Sequence, residues 1–199
     1  TLNRLGGDAA KADALYADLA DYCLASERLA ELDARLDQLQ WSDSPHEDLR
    51  ALLTELATVR IPGSELKALR PAIDQHFALP DLLAIRDALR RESRPELRDW
   101  AEETLRVLDS RSPLAMAVTL ELLRRGRYLS LADCFALELH LDYQWFAKGD
   151  LMEGVRALII DKDKQPRWNP PTLDELAPAR VQAFFNGFRP ASGKPLRTA

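Results

Sequence analysis

Cysteine is scarce: Cys23 and Cys134 stand far apart in 199 residues, with no CxxC and no histidine pair beside either. That argues against a disulfide framework, and two reduced, buried thiols of a cytoplasmic protein are expected. Long apolar runs are missing too. The stretch ALII at 157–160 is typical, far below the roughly 20 residues a membrane-spanning helix needs, so no membrane partner is expected. Basic charge does not gather in any block, since 27 Lys and Arg are spread among 32 Asp and Glu for a net charge of −5. Nucleic acid, whose phosphates call for a basic stripe, is not an expected partner. The chain opens on Thr1 with no charged stretch leading into an apolar one, so no secretory leader is expected there and a trimmed start is.

Catalytic signatures are equally sparse. His46, His76 and His140 show neither HxxxH nor HxH spacing, so no metal site is expected. There is no GxSxG elbow, no HExxH and no Gly-rich phosphate loop; Gly6 and Gly7 form only an isolated pair.

What is present is helical grammar, and with 46% apolar residues there is enough to bury a core. Leu29, Leu32, Leu36 and Leu39 recur at three and four residues behind Ser26, a candidate N-cap. Ser44, Pro45 and Glu47 read as a capping box with proline at the first helical position, and Pro62 with Gly63 marks the break after that helix. Further helices are expected over 65–76, 80–91 and 95–108, each opened or closed by proline. Ser112 with Pro113 starts another that stops near Gly126, and Ser130 with Asp133 opens the longest, closed by Gly149. The segment GVRALII fits a helix started by Asp150. No stretch alternates long enough for a strand, so the fold expected is all-α.

The tract Asp161–Lys164 (DKDK) has two readings. In one it is a solvated loop whose alternating signs neutralise one another; in the other Lys162 or Lys164 faces a phosphate-bearing ligand, for which a compact ammonium is suited. Trp168 is read first as an anchor for the prolyl tail.

The segments SPLAMAVTLELLRRG, LSLADCFALELHLDYQW and DLMEGVRALIIDKDKQPRWNPPTLDEL closely resemble the C-terminal part of the 3-hydroxyisobutyryl-CoA hydrolase family, a branch of the crotonase (enoyl-CoA hydratase/isomerase) superfamily. Ser112, Pro113, Thr119, Leu120, Glu138, the block Glu153–Ala157 and Asp161, Lys162, Asp163, Pro166, Trp168 and Pro170 carry the match. Near the front, Arg4, Leu5, Ala12, Ala14, Leu19 and Ala20 match as well, while Asp18 stands where the family's turn has glycine.

The resemblance implies a multi-helix C-terminal domain whose α/β catalytic core is absent from this chain. Residues 1–25 would end that core, 26–110 form a helical extension, 111–188 the C-terminal helices and clamp tail, and 189–199 a loose tail. It implies a parent enzyme of valine catabolism that hydrolyses an acyl-CoA thioester, releasing CoA and a 3-hydroxy acid. This chain would cover and pack, inactive alone, with no catalytic residue, no metal and no cofactor beyond CoA as substrate. Lys162 is the implied contact to the CoA phosphates. The partners implied are the acyl-CoA, the protein's own N-terminal core and a second copy of the chain. Two alternatives stand beside it: an enoyl-CoA hydratase or isomerase of the same superfamily, and a non-catalytic helical interaction module.

Overall fold

The computed structural model describes residues 8–57 and 63–190. Gly6 and Gly7, Arg4 and Leu5, Pro62, and residues 191–199 of the expected loose tail lie outside them. Among the described residues there are ten α-helices and no strand: α1 Asp8–Tyr16, α2 Leu29–Gln38, α3 Pro45–Leu56, α4 Glu65–Phe77, α5 Leu82–Arg90, α6 Pro95–Asp109, α7 Pro113–Gly126, α8 Leu131–Lys148, α9 Leu151–Val155 and α10 Pro178–Phe185. None of them is long and apolar enough to cross a membrane.

Local chemistry explains most of the boundaries. Ser112 Oγ accepts the Ala115 N–H (3.0 Å) and Ser130 Oγ the Asp133 N–H (3.2 Å), each satisfying a donor that a helix start leaves unpaired. Asp81 does the same for α5, taking the Ala84 N–H at 2.8 Å, so that helix starts after Asp81 and not at Pro80. The capping box at Ser44 does not form. Asp48 instead accepts from the Ser42 N–H and hydroxyl at 2.7 and 2.8 Å, and Ser44 keeps no side-chain cap bond. Ser26 caps nothing either and lies inside a short 3-10 turn, Ser26–Arg28. At Gly149 a side chain is impossible without movement, because a Cβ there would stand 2.2 Å from Trp145 Cε3 and 3.0 Å from its Cα.

The chain divides within α4, after Asp74, into two compact units. In the first, the buried apolar residues are few, Ala12, Leu52, Leu56 and Ala72, and polar contacts carry much of the stitching. Arg35 grips Glu55 with both ends of its fork (2.8 and 2.6 Å), tying α2 to α3. Asp13, 1% exposed, accepts the Ser64 hydroxyl at 2.6 Å and the Leu66 N–H at 3.0 Å, so a buried carboxylate is satisfied by the first turn of α4. Asp18 takes φ 53°, a left-handed conformation that glycine adopts at less cost.

The second unit holds two apolar clusters. Leu114, Val118, Leu137, Leu141, Phe184 and Phe185 bring α7, α8 and α10 together, and Ile85, Leu89 and Ala101 join α5 to α6. Burying a Leu or Phe is worth about 1.5–3 kcal/mol relative to leaving it exposed, so the first cluster dominates this unit's stability. The outer side of α8 is also apolar: Leu131, Phe135, Leu139, Tyr143 and Phe146 are all more than half exposed. Cys23 and Cys134 are free thiols, half-buried where full burial is expected.

Candidate functional site

Asp150 begins α9, as the sequence suggests, but the helix does not continue as α. After Val155 it widens into one π-helical turn, Arg156–Ile160. The turn closes with the Asp161 N–H donating to the Arg156 carbonyl (2.8 Å) and the Lys164 N–H to the Ala157 carbonyl (3.0 Å). Its outer residues Leu158, Ile159 and Ile160 are 66%, 61% and 66% exposed, an apolar ridge beside the charged tract.

Arg156 sits at the centre of a ring of acceptors. Nε donates to Glu153 Oε2 (2.9 Å), and Nη2 to Glu153 Oε1 (2.8 Å) and to the Gln165 carbonyl (3.1 Å). Nη1 donates to Asp161 Oδ2 (2.6 Å) and Asp163 Oδ2 (2.7 Å). A guanidinium has five N–H donors, and all five are used. Its hydrogen bonds to Glu153, Asp163 and Asp161 raise the Arg156 pKa, and the same bond from Arg156, with the Gln165 N–H, lowers that of Asp163. Glu153 falls from its ordinary 4.5 to about 2, first because of the Arg156 fork and then because the Arg167 N–H donates to it at 2.6 Å.

This arrangement revises one part of the solvated-loop reading of the charged tract. The signs do not neutralise one another along the loop: Asp161 and Asp163 are taken by Arg156, and no carboxylate among the described residues pairs with Lys162 or Lys164. Both lysines are exposed and sit at positive φ, 57° and 56°. Left-handed backbone costs a non-glycine residue on the order of 1–2 kcal/mol each, which the bonds from Arg156 to the neighbouring Asp161 and Asp163 help offset.

The prolyl tail lies across the same helices as a strap. The Asn169 N–H donates to Asp150 Oδ1 at 3.2 Å, while Asp150 Oδ2 accepts the Ser112 hydroxyl at 2.5 Å. Trp168 Nε1–H donates to the Ser110 carbonyl (3.1 Å), and its ring lies over Gly154, with Cη2 3.6 Å from where a Cβ would stand. The Asn169–Pro170 peptide is cis, and Pro170 is buried. Asp150, Glu153, Gly154 and Arg156 therefore all serve the strap, and Trp168 is the anchor the sequence suggests.

The histidines are not brought together. His76 Nε2 is 2.7 Å from Glu92 Oε2, in a buried pair braced by Arg94, and His140 Nε2 lies 3.0 Å from the Phe184 carbonyl. Among the described residues no group of three or more His, Cys, Asp or Glu could hold a metal ion. Sequence reasoning missed Arg156 as the hub, although an acid three residues before it and an Asp-x-Asp pair after it were a readable signal.

Comparison with known proteins places these features. The sequence model described as enoyl-CoA hydratase/isomerase matches residues 4–185. The Arabidopsis thaliana small ribosomal subunit protein mS47 is 31% identical over 82% of this chain and 40% of its own length. The mitochondrial 3-hydroxyisobutyryl-CoA hydrolase of Gallus gallus is 30% identical over 93% of this chain and 47% of its own length. The crystal structure of a carnitinyl-CoA dehydratase from Mycobacterium thermoresistibile superposes with a TM-score of 0.72 at 28% identity, covering 96% of this chain and 54% of that one. The chain thus spans about half the length, or less, of these relatives. The Gallus name carries a mitochondrial address, so it lends no support to the cytoplasmic expectation.

Two expectations are corrected here. The match is not confined to a C-terminal portion but runs from residue 4 to residue 185. The fold class, an all-α part set apart from an α/β core that the chain lacks, is overturned as well. The superposed fold takes in 96% of the chain, so the helices are a crotonase-like domain in their own right. Periodicity shows which residues are helical and says nothing about which domain owns the helices.

Proposed function

Because the chain belongs to the enoyl-CoA hydratase/isomerase family, we propose that it serves acyl-CoA thioester hydrolysis of the 3-hydroxyisobutyryl-CoA kind, releasing CoA and a 3-hydroxy acid. The observation that carries this reading is the saturated Arg156 hub, which occupies Asp161 and Asp163 and leaves Lys162 charged, exposed and unpaired among the described residues. Lys162 is assigned to the CoA phosphates, with Lys164 beside it. The ridge Leu158–Ile160 suits the less polar arm of the same ligand, since one end of a CoA thioester is strongly anionic and the other is not.

In the chemistry that the family resemblance implies, backbone N–H donors polarise the thioester carbonyl and acidic side chains activate the attack. No described residue is assigned a bond-making role. The contribution proposed for this chain is to hold the phosphate end and to cover the ligand. A location in the cytoplasm and a self-associated state belong to the same proposal.

The test is a titration of the chain with CoA, next to thiol release from 3-hydroxyisobutyryl-CoA and hydration of an enoyl-CoA. Lys162→Ala should weaken CoA binding about three- to tenfold, the worth of one exposed charge-assisted contact. Equal affinity in the variant would reject the assignment. Hydration without thiol release would move the reading to a hydratase.

A second reading, a non-catalytic helical interaction module, is favoured by the apolar outer side of α8 and by the likeness to a protein named as ribosomal. Absence of both CoA binding and turnover would favour it.

A further inference from the structure

A cavity of about 210 Å³ lies in the second unit, walled by α5, the α6–α7 turn, the start of α7 and the strap. Three guanidinium groups line it: Arg86 and Arg90, one turn apart on α5, and Arg111 from the turn. They differ in how far they are neutralised. Arg86, with its side chain 11% exposed, donates to both oxygens of Asp174 (2.7 and 3.1 Å) and to Asp87 (3.3 Å). Arg90 comes only within 3.9 Å of Asp87, too far for a hydrogen bond, and Arg111 has no carboxylate partner among the described residues.

We propose that this cavity is an anion site for a phosphate-bearing small molecule, with Arg111 as its unpaired cation, Arg90, held only by the long pair to Asp87, as the second, and Arg86 as the positioning wall. The Arg86–Asp174 fork shows that the wall already accepts one oxyanion, supplied by the chain itself. A planar carboxylate is satisfied by one such fork. A phosphate or diphosphate has oxygens to spare, and two guanidinium groups on separate elements suit that larger set of acceptors. Asp109 also lines the cavity and opposes the ligand, so affinity is moderate and falls with ionic strength. The volume admits a small polyanion, not a macromolecule. This site rests on residues other than Lys162 and stands whatever becomes of the CoA assignment.

The experiment is calorimetric titration of the whole chain with pyrophosphate at low ionic strength. One saturable site is expected, with Kd of about 1 mM or tighter. Arg90→Gln and Arg111→Gln should each weaken it about tenfold, and Asp109→Asn should tighten it. Arg90 and Arg111 are exposed, so circular dichroism should show both variants folded. No saturable uptake by the wild type or by Asp109→Asn would overturn the proposal, as would binding indifferent to both arginine substitutions. Uptake abolished by Lys162→Ala would place the anion at the lysine turn and overturn it equally.

Discussion

Two arginines of the second unit are each gripped by aspartates, and the contrast between them separates scaffold from site. Arg156 spends all five N–H donors on Glu153, Asp161, Asp163 and the Gln165 carbonyl. Arg86 spends three, on Asp174 and Asp87, at the wall of a cavity. A saturated guanidinium has nothing left to offer a ligand; it fixes the geometry of its neighbours. An unsaturated one beside open volume, with two freer arginines next to it, retains binding capacity.

The largest expected effect breaks the scaffold side of this contrast. Arg156→Gln strands three carboxylates close together, and like charges left unpaired repel. The strap should release, lowering Tm by several degrees and raising amide exchange at Arg167 and Asn169 about tenfold or more.

Acid should do part of the same without mutation. The Glu153 carboxyl binds its proton less tightly when folded, at about 2, than at its ordinary 4.5, so its contribution is complete above about pH 4.5 and is lost as pH falls toward 2. Trp168 fluorescence, monitored from pH 6 to pH 2, should report strap loosening within that window in the wild type. The transition should be blunted in Glu153→Gln.

Arg86→Gln should cost less, about 1–2 kcal/mol in denaturant unfolding, because Asp174 is two-thirds exposed and returns to water at little penalty. A loss as large as that of Arg156→Gln would erase the distinction drawn between the two. The smallest effect should come from Lys162→Ala. With no partner to lose and no buried area, its unfolding free energy should stay within about 0.5 kcal/mol of the wild type, while CoA affinity falls.

Parts of this were legible in the sequence. Ser112 and Ser130 announce α7 and α8 because an N-cap is a local device, written within three residues. Ser44 misled because a nearer competitor, Asp48 turned toward Ser42, took up the local hydrogen bonding. The strap anchor Trp168 could be suspected, but not its resting place over Gly154. The π-helical turn had no local signal, since it is closed by bonds to Asp161 and Lys164 beyond its end. The Arg86–Asp174 pair joins residues 88 positions apart, and no single sequence pairs them. Ownership of the helices failed for a related reason: a helix looks the same whichever domain it packs in.

The segment between Glu153 and Arg167 is a loop pinned at its two ends, 14 residues apart, by one carboxylate that bonds the far backbone directly and one guanidinium that gathers the middle. Proteins often close such loops with a disulfide, which acts largely by restricting the unfolded chain and depends on redox conditions. Closure by Arg156 leaves the unfolded chain unrestrained and works only once the fold is in place. With both cysteines free, the strap needs no oxidant to close and no reductant to open, so its closure follows the fold and not the redox environment.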